Sequence, residues 1–143
     1  MTYNQVLTEI KTLLESHPMI HTVIYGSPIE WMFQDKQPEF PIAAYDIGNG
    51  SLNIGRESTF NISLWFLDKS GREAEFETEV LSDQHSILND IISELRNRQT
   101  KYLISENVTW DGIKEKMEDY LSGVSATFDL SVVSDFGACD FPV

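Results

Sequence analysis

Residues 59–68 read Thr-Phe-Asn-Ile-Ser-Leu-Trp-Phe-Leu-Asp, and their spacing decides the fold class. Phe60, Ile62, Leu64 and Phe66 recur at every second position, so a pleated strand carries all four on one side. Asn61 and Ser63 fall on the opposite side, until Trp65 and Leu67 make that side apolar too. The pattern fits a strand covered on one face at first and on both faces later. A second long alternation follows at Val124, Ala126, Phe128, Leu130 and Val132, interleaved with Ser125, Thr127, Asp129 and Ser131. It predicts another half-buried strand.

Working outward, Lys69-Ser70-Gly71 is expected to turn the chain into a partner strand, Glu73–Val80. There Ala74, Phe76, Thr78 and Val80 alternate with Glu73, Glu75, Glu77 and Glu79, giving an acidic outer face. Upstream, Phe40–Ile47 (FPIAAYDI) reads as a strand whose proline stands near its start, where a missing donor is tolerated. Gly48-Asn49-Gly50 then supplies a turn, and Ser51–Ser58 a polar connection. Ile20–Tyr25 is rich in β-branched residues and is stopped by Gly26-Ser27-Pro28.

Helical spacing is equally clear. Thr2 and Gln5 have the separation of a capping box, and Val6, Leu7, Ile10, Leu13 and Leu14 form one stripe behind them. That helix should end near His17, since Pro18 disfavours a helical residue before it. Ser82 is placed to cap a second helix over about 84–98, with the stripe Ile87, Leu88, Ile91, Ile92, Leu95. A shorter helix is expected from Ile113 to Leu121, with Gly123 at its stop. Together these predict one α+β domain over residues 1–143: a mainly antiparallel twisted sheet flanked by two main helices and one short one.

The chain has 143 residues, 41% of them hydrophobic, enough to bury a core. Ten Lys and Arg stand against 23 Asp and Glu, a net charge of −13 that opposes binding to nucleic acid phosphates. The single cysteine, Cys139, excludes an internal disulfide and a cysteine-based zinc site. Residues 1–8 show no secretory signal, and no apolar run approaches the ~18 residues that cross a bilayer. A soluble protein made in the cytoplasm is expected.

Candidate chemistry is thin. The glycines of GNGSLNIG (48–55) are followed by no lysine and open no helix, so a hairpin outweighs a phosphate loop. His17, His21 and His85 match no metal-ligand spacing. Asp46, Asp68 and Glu73 suggest a paired-carboxylate site only by residue type, and Ser82, Asp83 and His85 lie where capping is the ordinary role. The reading is therefore of a protein that is not an enzyme, with no catalytic, cofactor-binding or metal-ligating residues. Ile29, Trp31, Met32 and Phe33 in the 27–37 segment are either a loop tucked onto the core or a subunit contact, where aromatics and Met concentrate. Phe136 and Phe141 raise the same choice between a loose end and an arm packed on a neighbour.

The order of these elements resembles the tail-terminator and tail-completion proteins of tailed bacteriophages. The likeness is carried by the amphipathic helix ending at Leu14, the strand Ile20–Tyr25, Phe40-Pro41-Ile42 leading into the next strand, and the strand Phe60–Asp68. It continues with Val80-Leu81-Ser82-Asp83 before the helix Ile87–Leu95, Leu121-Ser122-Gly123 before the strand Val124–Val133, and Cys139-Asp140-Phe141-Pro142. The extra helix Ile113–Leu121 departs from that pattern. What the resemblance implies is a structural virion protein forming a ring at the head–tail junction or tail end. Such a ring, hexameric or alternatively dodecameric, terminates the tail tube and joins it to neck and connector proteins, with no cofactor. Localisation in the virion follows, after assembly in the host cytoplasm.

Within that reading Glu73, Glu75, Glu77 and Glu79 could line a lumen that repels DNA over a Debye length of about 8–10 Å. A solvated acidic edge resisting aggregation is the plainer view of the same residues. Two other classes stay open: an acidic partner-binding regulator or DNA mimic, and a small hydrolase using Asp46 and Asp68.

Overall fold

The computed structural model describes residues 3–26, 39–53, 57–69, 74–98, 102–113 and 121–133. Within them the chain runs α1 (Tyr3–Ser16), β1 (Thr22–Tyr25), β2 (Ile42–Asn53), β3 (Glu57–Lys69), α2 (Ala74–Asn97), β4 (Leu103–Ile104), β5 (Thr109–Ile113) and β6 (Leu121–Val133). The fold is α+β, with two helices among the described residues and one six-stranded, mostly antiparallel sheet.

Strand order is β1-β2-β3-β6, and both β4 and β5 pair with the outer side of β6. Only β1 and β2 are parallel, in register Thr22↔Ile42 to Tyr25↔Tyr45. A parallel pair needs a crossover of about a dozen residues or more, and the segment between β1 and β2 has that length. Gly26 ends β1 with φ 103°, a left-handed value that suits glycine, while its N–H donates to the Tyr45 carbonyl at 2.9 Å.

β3 pairs with β6 from Glu57↔Val133 to Lys69↔Leu121 and is the spine of the sheet. Phe60, Ile62, Leu64 and Phe66 share a face with Val124, Ala126, Phe128, Leu130 and Val132, as their alternation predicts. Both helices pack on that face. Val6, Ile10, Leu13 and Leu14 of α1 join Ile87, Leu88, Ile91, Ile92 and Leu95 of α2 in one core with it. On the other face Ile42, Leu67 and Leu121 are buried together at one end, with Ile24, Phe40 and Ile113 around them. Beyond Ala44 and Trp65 that face turns largely polar: Thr59 Oγ1 meets Ser131 Oγ at 3.1 Å, and Asn61 Nδ2 donates to Asp129 Oδ1 at 3.1 Å.

The end of α1 is tied to α2 through His17. Its Nδ1 accepts the Met19 N–H at 3.1 Å, which leaves the proton on Nε2 to donate to Asp90 Oδ2 at 2.9 Å.

Four expectations are corrected. Residues 74–80 are the first two turns of α2, not a strand, so the helix begins well before Ser82, which sits exposed inside it. Ala and Glu are strong helix formers, and the true stripe runs back through a polar residue, buried Gln84. Gly48–Asn53 continues β2 instead of turning, and the pairing shifts between Ile47 and Gly50 at a bulge. Ser58 likewise belongs to β3, leaving no long polar connection at that point. Finally, Ile113 ends strand β5 and Leu121 begins β6, so neither end of the expected short helix is helical; residues 114–120 lie outside the described set.

Candidate functional site

Two kinds of surface stand out: a cleft at one end of the sheet and the two edges of the sheet. The cleft arises because β2 and β3 extend past the first turn of α1. Its volume is about 550 Å³, with Tyr3 on one wall and Ile47, Leu52 and Phe60 on the others. The backbone of Gly48–Gly50 forms part of the lining. Tyr3 meets Phe60 edge-on, with ring centroids 6.1 Å apart.

Gly50 explains how the bulge fits. A Cβ there would lie 2.3 Å from the Thr59 carbonyl oxygen, so only a residue without one lets β2 approach β3 so closely. Leu52, beyond the bulge, is 87% exposed, the most solvent-exposed large apolar side chain of the described residues. Among the described residues none that lines the cleft carries a charge, in a chain whose net charge is −13.

Beside the cleft, Tyr25 stacks edge-on against Tyr45 with centroids 5.5 Å apart. The hydrogen bond that Tyr25 donates to Tyr3, with the nearby Asp46 carboxylate, pushes the Tyr25 hydroxyl up to about 12, Tyr3 being the larger cause. Burial, then the Glu15 carboxylate, also raises Tyr45.

The sheet edges differ from each other. At the β1 edge Tyr25 is more than half exposed, as is Met19 in the turn before the strand. At the other, β4 and β5 carry exposed Leu103 and Trp110. Trp110 packs edge-on over His85 of α2, centroids 4.8 Å apart, so the indole is held in place while one side stays in water.

The carboxylates weighed from the sequence are not brought together. Asp46 and Asp68 lie on opposite faces of the sheet, each accepting from the next residue's backbone N–H at 2.8 Å. Glu73 lies outside the described residues. His17 serves the α1–α2 tie, His21 is exposed just before β1, and His85 carries the Trp110 contact. Among the described residues no three His, Cys, Asp or Glu side chains cluster as a metal ion requires.

Of the expected contact residues, Ile29, Trp31, Met32, Phe33, Phe136 and Phe141 all lie outside the described residues. Glu75, Glu77 and Glu79 stand on helix α2, where a step of two residues turns by about 200° and alternate positions do not share a face. The single acidic strand face expected to line a lumen is therefore not formed; Glu79 is simply exposed.

Sequence reasoning missed the β5 edge and Leu52. Trp110 was one detectable signal, an aromatic flanked by polar residues and lacking any apolar periodicity to bury it. No protein-family model matches this chain, and no curated protein matches it.

Proposed function

We propose that this chain is a structural subunit of a tailed-phage virion. Copies form a ring at the head–tail junction or the tail end, terminating the tail tube or connecting it for DNA passage. One observation carries the reading. Among the described residues the two edges of a single sheet present different exposed large side chains, Tyr25 on β1, with Met19 in the turn before it, and Leu103 and Trp110 on β4 and β5. A closed ring of identical subunits needs just such a pair of unlike patches on every copy, because each contact is head-to-tail.

The architectural resemblance to tail-terminator proteins supplies the particle. The charge of −13 supplies a reason for DNA to pass without sticking, since an acidic ring repels phosphate. That effect belongs to the whole surface and does not depend on a glutamate strand.

The test is the mass of the purified protein by light scattering, alone and with tail tubes, with negative-stain images of the same sample. The expected result is a closed hexamer, or a dodecamer, that caps tube ends. Leu103→Asp with Trp110→Ala should return a folded monomer by circular dichroism. A wild-type protein that stays monomeric at high concentration and ignores tubes would sink the proposal.

A further inference from the structure

We infer that β5 of one copy pairs with β1 of a second copy, antiparallel and in the register Tyr25↔Trp110 to Thr22↔Ile113, so that one sheet continues from subunit to subunit. This contact rests on the ring reading above and is one interface within it.

Across the sheet, Tyr25 pairs with Tyr45, Tyr45 with Leu64, Leu64 with Ala126, and Ala126 with Trp110. The next three rungs are also unbroken, and the last runs from Thr22 through Ile42, Leu67 and Gly123 to Ile113. Residues 22–25 at one edge therefore stand level with residues 110–113 at the other. Among the described residues neither strand has a partner on its outer side. Such an edge turns the N–H and C=O of every second residue outward, a row that an added strand satisfies. β1, β2 and β6 run one way, β3 and β5 the other. Two copies set edge to edge with the same face up thus meet as an antiparallel pair without any offset.

Both edges also end at one level. Gly26, with φ 103°, closes β1 after Tyr25. On the other edge four residues separate Ile104 from Thr109, where β6 has only two between Leu130 and Thr127, so the chain bulges just before β5.

The side chains match across this register. On the helix side Tyr25 and Trp110 come directly opposite, at the roughly 5 Å Cβ spacing of a cross-strand pair, where two aromatics add stability. They are 55% and 50% exposed, and each is braced edge-on within its own copy, by Tyr45 and by His85. Val23 faces Gly112, which has no side chain to crowd it. On the other face Ile24 and Ile113 flank the buried Ile42, Leu67 and Leu121. Pairing sets Ile113 of one copy diagonal to Ile24 of the next, so this apolar row continues through the contact. Of the eight residues brought opposite each other only Asp111 is charged, so copies of net charge −13 meet where few like charges face.

Cysteine pairs report the register. Within one copy, positions 23 and 112 lie four strand spacings apart, roughly 19 Å at about 4.8 Å each and far beyond disulfide reach, so a bond between them joins two copies. The full chain carries Cys139→Ser, to remove the native thiol, with either Val23→Cys and Gly112→Cys or Ile24→Cys and Asp111→Cys. Adjacent rungs of an antiparallel ladder alternate between close and wide spacing, so one of the two pairs suits a disulfide. Oxidised glutathione should then give a series of linked chains on a non-reducing gel. The better pair should link at least about tenfold faster than Val23→Cys with Asp111→Cys, whose side chains lie on opposite faces. In the unmodified protein, exchange of the outward amides at 22–25 and 110–113 should slow at least about tenfold when dilute subunits assemble. Equal linking by all three pairs in intact rings, or exchange there that assembly leaves unchanged, overturns the inference. Light scattering on the unoxidised samples separates the two claims: rings that fail these tests reject this strand pairing alone, while monomers of the unmodified protein reject the ring itself.

Discussion

Gly123 offers a stringent test of how β6 is seated on β3. It pairs with Leu67, and a Cβ built on it would lie 1.8 Å from the Phe66 carbonyl oxygen, 2.9 Å from the Phe66 carbonyl carbon and 3.0 Å from the Leu67 Cα. All three obstacles are backbone, so no rotamer change relieves them. Gly123→Ala must push the two strands apart by more than about 1 Å, which takes the adjoining ladder hydrogen bonds out of range. Two such bonds at about 1 kcal/mol each, with overpacking of about 1–3 kcal/mol, predict a loss of roughly 3–4 kcal/mol.

For a domain of this size that is a fall in Tm of roughly 10 °C, or about 1.5–2 M in the urea midpoint. Gly112→Ala is the matched control. Gly112 stands one register position away on β5, where its Cβ would meet only the Leu81 side chain at an ordinary 3.6 Å. The control should be neutral or gain about 0.5 kcal/mol by restricting the unfolded chain. Urea titrations followed by circular dichroism measure both. If Gly123→Ala costs no more than Gly112→Ala, the close approach of β6 to β3 is wrong.

Three further outcomes follow from single groups. Tyr25 holds its proton to about 12 in the fold while an unfolded tyrosine loses it near 10, so the unfolded state binds fewer protons between those values and stability falls as pH rises through that window. Absorbance at 295 nm should show this late-titrating tyrosine, and Tyr3→Phe should shift it earlier; an unchanged curve would reject the Tyr3 contact. Burial raises the Asp68 carboxyl despite the opposing Lys69 N–H, so its charged form is penalised above the ordinary carboxylate range. Asp68→Asn should therefore unfold at higher urea at pH 7, with the advantage fading below about pH 4, and an advantage persisting at pH 3 would contradict the cause. Gln84 is 1% exposed and its Oε1 has no hydrogen-bond partner among the described residues, so Gln84→Leu should stabilise by about 1 kcal/mol, measured by the same titrations.

The parts legible in the sequence were those held by burial. β3 and β6 announce themselves because every second side chain enters the core, and α1 because Val6, Ile10, Leu13 and Leu14 are all buried. What escaped was held by other forces. β5 reads Thr-Trp-Asp-Gly-Ile and has almost no inward side chains; it is a strand because its backbone pairs with β6. In α2 the polar Gln84 occupies a core position and hides the stripe, while the alternation at 74–80 mimics a strand. Glycines at 48 and 50 suggest a turn, yet Gly50 is there for close strand contact, since a Cβ on it would lie 2.3 Å from the Thr59 carbonyl oxygen. The same glycines hide the cleft, because part of its lining, Gly48–Leu52 and Ser58, reads from the sequence as a turn and a polar connection.

The position of β3 also governs how this molecule is made. Its two neighbours arrive from opposite directions in the chain: β2 is translated just before it, β6 more than fifty residues later. Until residue 133 has left the ribosome, one rim of the central strand and the row Phe60, Ile62, Leu64 and Phe66 wait without their second partner. A nascent polypeptide stalled or cleaved before that point exposes a sticky, hydrogen-bond-hungry border, and such fragments are bound for aggregates or chaperones.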